Sequence, residues 1–170
     1  MGKRASKGFG YSQPTPPESL APYVRTHPAV VTALLKLGQV TSADLIYDLG
    51  CGDGRVVIQA ATTCGARGLG VDIDPERIRE ARQAAEEAQV SPLVHFRCQD
   101  LMTLDLGPAT VVFLYLLPST NMKLRQKLQT ELRQGTRILT HSFDFEDWQP
   151  TAVTTVSDVI NTYSLYLWRI

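Results

Sequence analysis

The chain is short of cysteine and histidine and has no excess charge of either sign. Cys51, Cys64 and Cys98 are its three cysteines, far apart and with no CxxC pair. That excludes a disulfide framework and a zinc cage and points to a reducing compartment, the cytoplasm. With 17 Lys and Arg against 17 Asp and Glu, no global field draws the protein to nucleic acid or to an anionic membrane. The longest apolar run, Val111 to Leu117, falls far short of the roughly 20 residues that cross a bilayer. Lys3, Arg4 and Lys7 are followed by Gly, Ser, Gln and Pro rather than by an apolar stretch, so the N-terminus does not read as a secretory signal. The expectation is a soluble cytoplasmic monomer with no nucleic-acid partner and no stable membrane anchor.

What is present fills one core: 170 residues, 44% of them apolar, suit one domain of ordinary density. Residues 1–20 carry Gly2, Gly8, Gly10, Pro14, Pro16 and Pro17 with few apolar side chains, too few to offset the entropy of ordering. They are predicted to form a flexible tail, leaving 21–170 as a single domain. From there helix and strand patterns alternate. Proline opens a helix over Pro28 to Leu37, which stops at Gly38. Strands are expected at Leu45 to Leu49, Gly68 to Asp72, Leu93 to Cys98, Val111 to Leu117 and Arg137 to His141, with helices over Arg55 to Thr63 and Pro75 to Gln89. Arg82 and Glu86 are spaced for an ion pair on the second of these helices. Val111 to Leu117 is apolar on both faces and belongs at the sheet centre. Ser119 is the expected cap of a helix marked by Leu124, Leu128 and Leu132 and stopped at Gly135. Two late β-rich runs, Ala152 to Val156 and Thr162 to Ile170, are close enough to pair antiparallel. The whole reads as an α/β protein whose mostly parallel sheet ends in a hairpin.

The sharpest local signal is Tyr47-Asp48-Leu49-Gly50-Cys51-Gly52-Asp53-Gly54-Arg55, between the first strand and the next helix. Glycines there let the backbone turn tightly and approach a ligand, and the helix N-terminus offers unpaired N–H groups. A dinucleotide fingerprint would place glycine at 55, where arginine stands, and a phosphate loop would end in GK[ST]. Neither fits. Asp72, at the end of the second strand, can accept both hydroxyls of a ribose, and Asp100, after the third, can accept from an adenine amino group. An adenosine ligand without phosphate-binding chemistry points to S-adenosyl-L-methionine.

At these residues the chain resembles the class I, seven-strand methyltransferases, over about residues 21–170. Asp48, Gly50, Gly52 and Gly54 match the family's first motif, Asp72-Ile73 its ribose acid and the residue after it, and Asp100-Leu101 its adenine contact. The resemblance implies a Rossmann-like, doubly wound, mostly parallel seven-stranded sheet with helices on both faces, and S-adenosyl-L-methionine as cofactor with S-adenosyl-L-homocysteine as product. Pro22-Tyr23-Val24-Arg25-Thr26, Leu116-Leu117-Pro118, Asn121, Thr140-His141-Ser142-Phe143 and Trp148-Gln149-Pro150 are similar to the small protein-lysine methyltransferases of archaea and of the mitochondrial ATP-synthase c-subunit type. Those usually carry a second proline where this chain has Arg25. The narrower resemblance implies that Tyr23 and Thr26 close over the methionine end of the cofactor, and that the partner is a protein with an accessible lysine.

Tyr115, at the end of the fourth strand, is placed to face a cationic nitrogen, and Tyr23 joins it by resemblance. Nucleic-base methyltransferases often carry Asn/Asp-Pro-Pro-aromatic after that strand; Tyr115-Leu116-Leu117-Pro118 stands here, which disfavours base methylation. Asn121, in the first turn of a helix, is a candidate hydrogen-bonding group for the substrate. His141 has the chemistry of a general base, but its place at the end of a buried strand reads as that of a satisfied structural histidine. The residues leave three functions open: a protein-lysine methyltransferase, a small-molecule methyltransferase, and a non-catalytic cofactor-binding module. No inserted substrate domain interrupts the pattern, which favours the first.

Overall fold

A computed structural model describes residues 24–170. The expected tail and Tyr23 lie outside the described residues. The elements are α1 (Pro28–Leu37), β1 (Leu45–Leu49), α2 (Arg55–Cys64), β2 (Arg67–Asp72), α3 (Pro75–Glu87), β3 (Val94–Cys98), a 3-10 turn at Leu101–Thr103, β4 (Val111–Leu114), α4 (Pro118–Glu131), β5 (Arg137–His141), β6 (Ala152–Ser157) and β7 (Thr162–Arg169). They build a seven-stranded sheet in the order β3-β2-β1-β4-β5-β7-β6. β1 to β5 run parallel, and β7 turns antiparallel to both β5 and β6.

The core is divided by the sheet, as two covered faces require. On one side Val30, Val31 and Leu34 of α1, Val56 and Val57 of α2 and Ile78 and Ala81 of α3 pack on Ile46, Phe96, Phe113 and Leu139. On the other, Leu124 and Leu128 of α4 join Leu49, Val71, Leu114, Phe145 and Trp168. β4 is buried at all four positions and lies mid-sheet, as its apolar run predicts.

Element ends and one side-chain partner correct the sequence reading in five places. β4 stops at Leu114 rather than Leu117, because its neighbour β1 ends at Leu49, opposite Leu114, and turns away at Gly50. Leu117, not Ser119, is the N-cap of α4; it makes no side-chain cap bond, and Pro118 takes the first helical position, where its missing N–H costs nothing. Gly135, at φ 90°, does not cap α4, which ends at Glu131. It opens β5 instead, donating its N–H to the Ile170 carbonyl. α3 ends at Glu87, two residues early, and Gln89 takes a left-handed conformation at φ 58°. Arg82 does not pair with Glu86 but donates to the Phe96 carbonyl at 2.9 Å, tying α3 to β3.

Candidate functional site

The carboxyl ends of five parallel strands share one edge, and the sequence-predicted residues gather there. β1 leads into Gly50, Cys51 and Gly52, and the N–H groups of Gly50 and Cys51 both donate to the Val71 carbonyl of β2 at 2.8 and 3.0 Å. Gly50 and Gly54 sit at φ 85° and 78°, a region that costs an L-residue strain. The space is closed as well: a Cβ at Gly50 would lie 2.8 Å from Leu116 Cδ2, and one at Gly54 would lie 2.5 Å from the Phe96 ring. This bare backbone is packed from behind by Leu116 and Phe96, so its shape is built rather than loose.

The acids are fixed by the same loop. Asp72 accepts from the Gly52 N–H through Oδ2 at 2.9 Å and from the Asp74 N–H through Oδ1 at 3.0 Å. A carboxylate oxygen has two acceptor directions, so one on each oxygen remains for a vicinal diol. Asp100 caps the 3-10 turn, its Oδ1 accepting from the Met102 N–H at 2.9 Å. Its exposed carboxylate keeps Oδ2 without a partner among the described residues. Ile73 is half-buried beside Asp72, and Leu101 is buried behind Asp100. Asp48 is 2% exposed; burial, then the charges of Asp72 and Asp53, push its carboxyl well above the usual carboxylate range.

One further group had no signal in the glycine pattern. Arg55, standing where a dinucleotide loop has glycine, donates to Asp53 through Nη2 at 2.6 Å and to the Thr26 carbonyl through Nη1 at 3.0 Å. Thr26 is thereby buried against the loop, next to Arg25, whose Nε lies 3.8 Å from Asp53.

The other half of the edge is aromatic. Register carries it: Leu114 pairs with Thr140, so the next residues, Tyr115 and His141, lie side by side with ring centroids 4.0 Å apart. Tyr163 of β7 meets His141 edge-on at 5.0 Å, and Phe143 lies 6.3 Å from Tyr115. Burial and the neighbouring Tyr163 raise the Tyr115 phenol above its ordinary value. Among the described residues, Asn121, 1% exposed, has a partner for neither side-chain amide atom, and His141, 2% exposed, has none for its two ring nitrogens. The expectation of a satisfied structural histidine is therefore overturned: packing holds the ring, while its polar atoms stay unpaired. Sequence reasoning missed Phe143 and Tyr163 as neighbours of Tyr115. No local pattern could have found Tyr163, because only the antiparallel return of β7 brings it there.

Fold and site together define an S-adenosyl-L-methionine-dependent methyltransferase. A family model described as the ANTKMT methyltransferase domain matches residues 48–152, and the chain belongs to that family. It is 39% identical to a protein-lysine N-methyltransferase of Saccharolobus islandicus over 88% of this chain and 93% of that one. It is 36% identical to the adenine nucleotide translocase lysine N-methyltransferase of Mus musculus, over 78% of this chain and 57% of the mouse protein. Among solved structures it is similar to an RNA methyltransferase from Salinibacter ruber in complex with S-adenosyl-L-homocysteine. That chain is 48% identical with a TM-score of 0.81, and the match covers 86% of this chain and 94% of the other.

The donor set fits this cofactor. Burial first, and then the negative charges of Asp72 and Asp53, oppose ionisation of the Asp48 carboxyl and raise it. A cationic nucleoside relieves that opposition, whereas a dinucleotide's phosphates would add to it. Among the described residues no cluster of His, Cys, Asp and Glu could hold a metal ion, and no helix is long and apolar enough to cross a membrane.

Proposed function

We propose that the protein transfers methyl groups from S-adenosyl-L-methionine to lysine side chains of a protein partner. One observation carries the reading: a strand-end edge whose acidic half suits the cofactor and whose other half gathers Tyr115, His141, Phe143 and Tyr163 into one aromatic group. Bound cofactor supplies an electrophilic methyl on a sulfonium, displaced in line by a neutral nitrogen. The chain's own task is then to hold that nitrogen about 3 Å from the methyl carbon and to exclude water. Asp72 would hold the ribose hydroxyls, with Ile73 beside it, and Asp100 and Leu101 the adenine. Asp48, Gly50, Gly52 and Gly54 would shape the loop under the methionine end, with Tyr23 and Thr26 closing over it. Tyr115 and Asn121 would lie on the substrate side. Burial in an apolar channel lowers an ammonium's pKa from about 10.4, and the Tyr115 face favours a nitrogen that keeps partial positive charge.

The names of two relatives support lysine, and the charges around the edge agree. Asp72, Asp74, Asp100, Asp144 and Glu146 stand at the ends of β2, β3 and β5, a rim that attracts a lysine-bearing chain and opposes a polyanion. The Salinibacter relative, an RNA methyltransferase by name, favours a second reading, RNA as acceptor. Monomeric state and a cytoplasmic location complete the proposal.

Incubation of a proteome extract with tritiated S-adenosyl-L-methionine separates the readings. Label on protein, placed on lysine by mass spectrometry, is the expected result. Label on RNA establishes the second reading, and label confined to small molecules overturns both.

A further inference from the structure

His141 departs from a rule that buried polar groups obey, since almost all of them have a hydrogen-bond partner. Its two ring nitrogens have none among the described residues, at 2% exposure. A phenylalanine would fill the same space against Tyr115 and Tyr163 without burying two polar atoms, so packing alone does not account for an imidazole here. The backbone around it is specialised too. Ser142 is held in a left-handed conformation at φ 65°, a strained state for a non-glycine residue. The Phe143 N–H donates back to the His141 carbonyl at 2.8 Å, and the Thr140 hydroxyl donates to the Phe143 carbonyl at 2.6 Å. This tight turn sets the Phe143 ring on the same aromatic group as His141 and Tyr115.

We infer that His141 is a substrate-side residue: its imidazole, walled by Tyr115, Phe143 and Tyr163, accepts a hydrogen bond from the acceptor lysine's nitrogen and fixes that nitrogen's direction. The assignment rests on the lysine reading above and adds the group that touches the amine. Burial lowers His141 from its ordinary value to about 4, so at neutral pH the ring is uncharged, with one lone pair and one N–H. A ring so weakly basic cannot retain a proton taken from an ammonium of pKa about 10.4. The lysine proton therefore leaves to water, and His141 orients rather than deprotonates. A neutral primary amine has two N–H groups and one lone pair; donating one N–H to His141 leaves the lone pair free to form the new N–C bond.

The test compares the wild type with His141→Phe, which keeps the ring stack and deletes both nitrogens, and His141→Gln, which restores an acceptor. With S-adenosyl-L-homocysteine saturating, 1-aminohexane is titrated while the imidazole 15N resonances are followed. The chain has three histidines, and the signals missing from His141→Phe are those of His141. The expected result is a shift of the His141 nitrogens on amine addition and a loss of tenfold or more in kcat/KM toward the lysine acceptor in His141→Phe. Affinity for S-adenosyl-L-homocysteine and the thermal midpoint should not fall, and His141→Gln should recover part of the rate. Lysine methylation at the wild-type rate by His141→Phe, or His141 resonances unmoved at saturating amine, overturns the assignment while leaving the lysine reading intact. Should the wild type itself label RNA and no lysine, the lysine reading fails and this role with it.

Discussion

The two halves of the strand-end edge satisfy their polar atoms in opposite ways. At β1 and β2 both Asp72 oxygens accept backbone N–H groups and the glycine turn is closed by bonds to Val71. At β4 and β5 the buried His141 imidazole has no hydrogen-bond partner among the described residues, and neither has the Asn121 side-chain amide at the start of α4. A buried unpaired donor or acceptor costs about 1–3 kcal/mol, so such groups are few in folded proteins and each has a physical reason. On the proposed function, the difference teaches that the cofactor half is organised in advance by its own backbone, while the acceptor half leaves polar atoms for a substrate to satisfy.

The hardest break falls on the organised half. Gly54→Ala combines a left-handed residue with a Cβ 2.5 Å from the Phe96 ring and 3.0 Å from Ala81 Cβ, and is expected to cost about 3 kcal/mol or more. Gly135→Ala is the matched control, with φ 90° but nothing within 4 Å; backbone strain alone should cost about 1–2 kcal/mol. Urea midpoints of the two variants check the pair. Equal losses would show that the loop is not packed from behind and that its shape is not fixed in advance.

Next in size is the cofactor contact itself. Asp72→Ala should weaken S-adenosyl-L-methionine binding by about 1–3 kcal/mol, roughly fivefold to 150-fold, in calorimetry. Asn121→Leu, on the incomplete half, should leave that affinity unchanged while lowering transfer to lysine. The same loss in both would erase the division between the halves, and no loss in Asp72→Ala would remove it from the ribose.

This division also explains what could be read from the chain. Gly50, Gly52, Gly54, Asp72 and Asp100 lie at the ends of consecutive strands, so a strand-turn-helix rhythm places them together without knowledge of pairing. β1, α1 and the final hairpin were legible for the same reason, since each is written in a local run. Tyr163 reaches Tyr115 only through β7 inserting between β5 and β6, a long-range pairing with no local mark. Ser119 was misread as a cap because Pro118 before it already fixes the first helical turn. His141 was misread because burial at a strand end is visible in sequence, whereas the absence of a partner is not.

The smallest expected effect is electrostatic and sits beneath the organised half. The folded Asp48 carboxyl has its pKa raised, by burial first and then by Asp72 and Asp53, whereas in the unfolded chain it titrates near about 3.9. Between those two values the unfolded state releases the proton and the folded state retains it. This group therefore loses stability as pH rises through that window and gains nothing back above it. Asp48→Asn removes the loss, so without cofactor it should be more stable than the wild type at neutral pH and melt at a higher temperature. Thermal melts from pH 5 to pH 8 read the effect as a gap between variant and wild type that widens with pH. A constant gap would mean that Asp48 does not titrate against its neighbours, and that the crowding of acids around the glycine turn has no energetic bearing on which ligand the turn accepts.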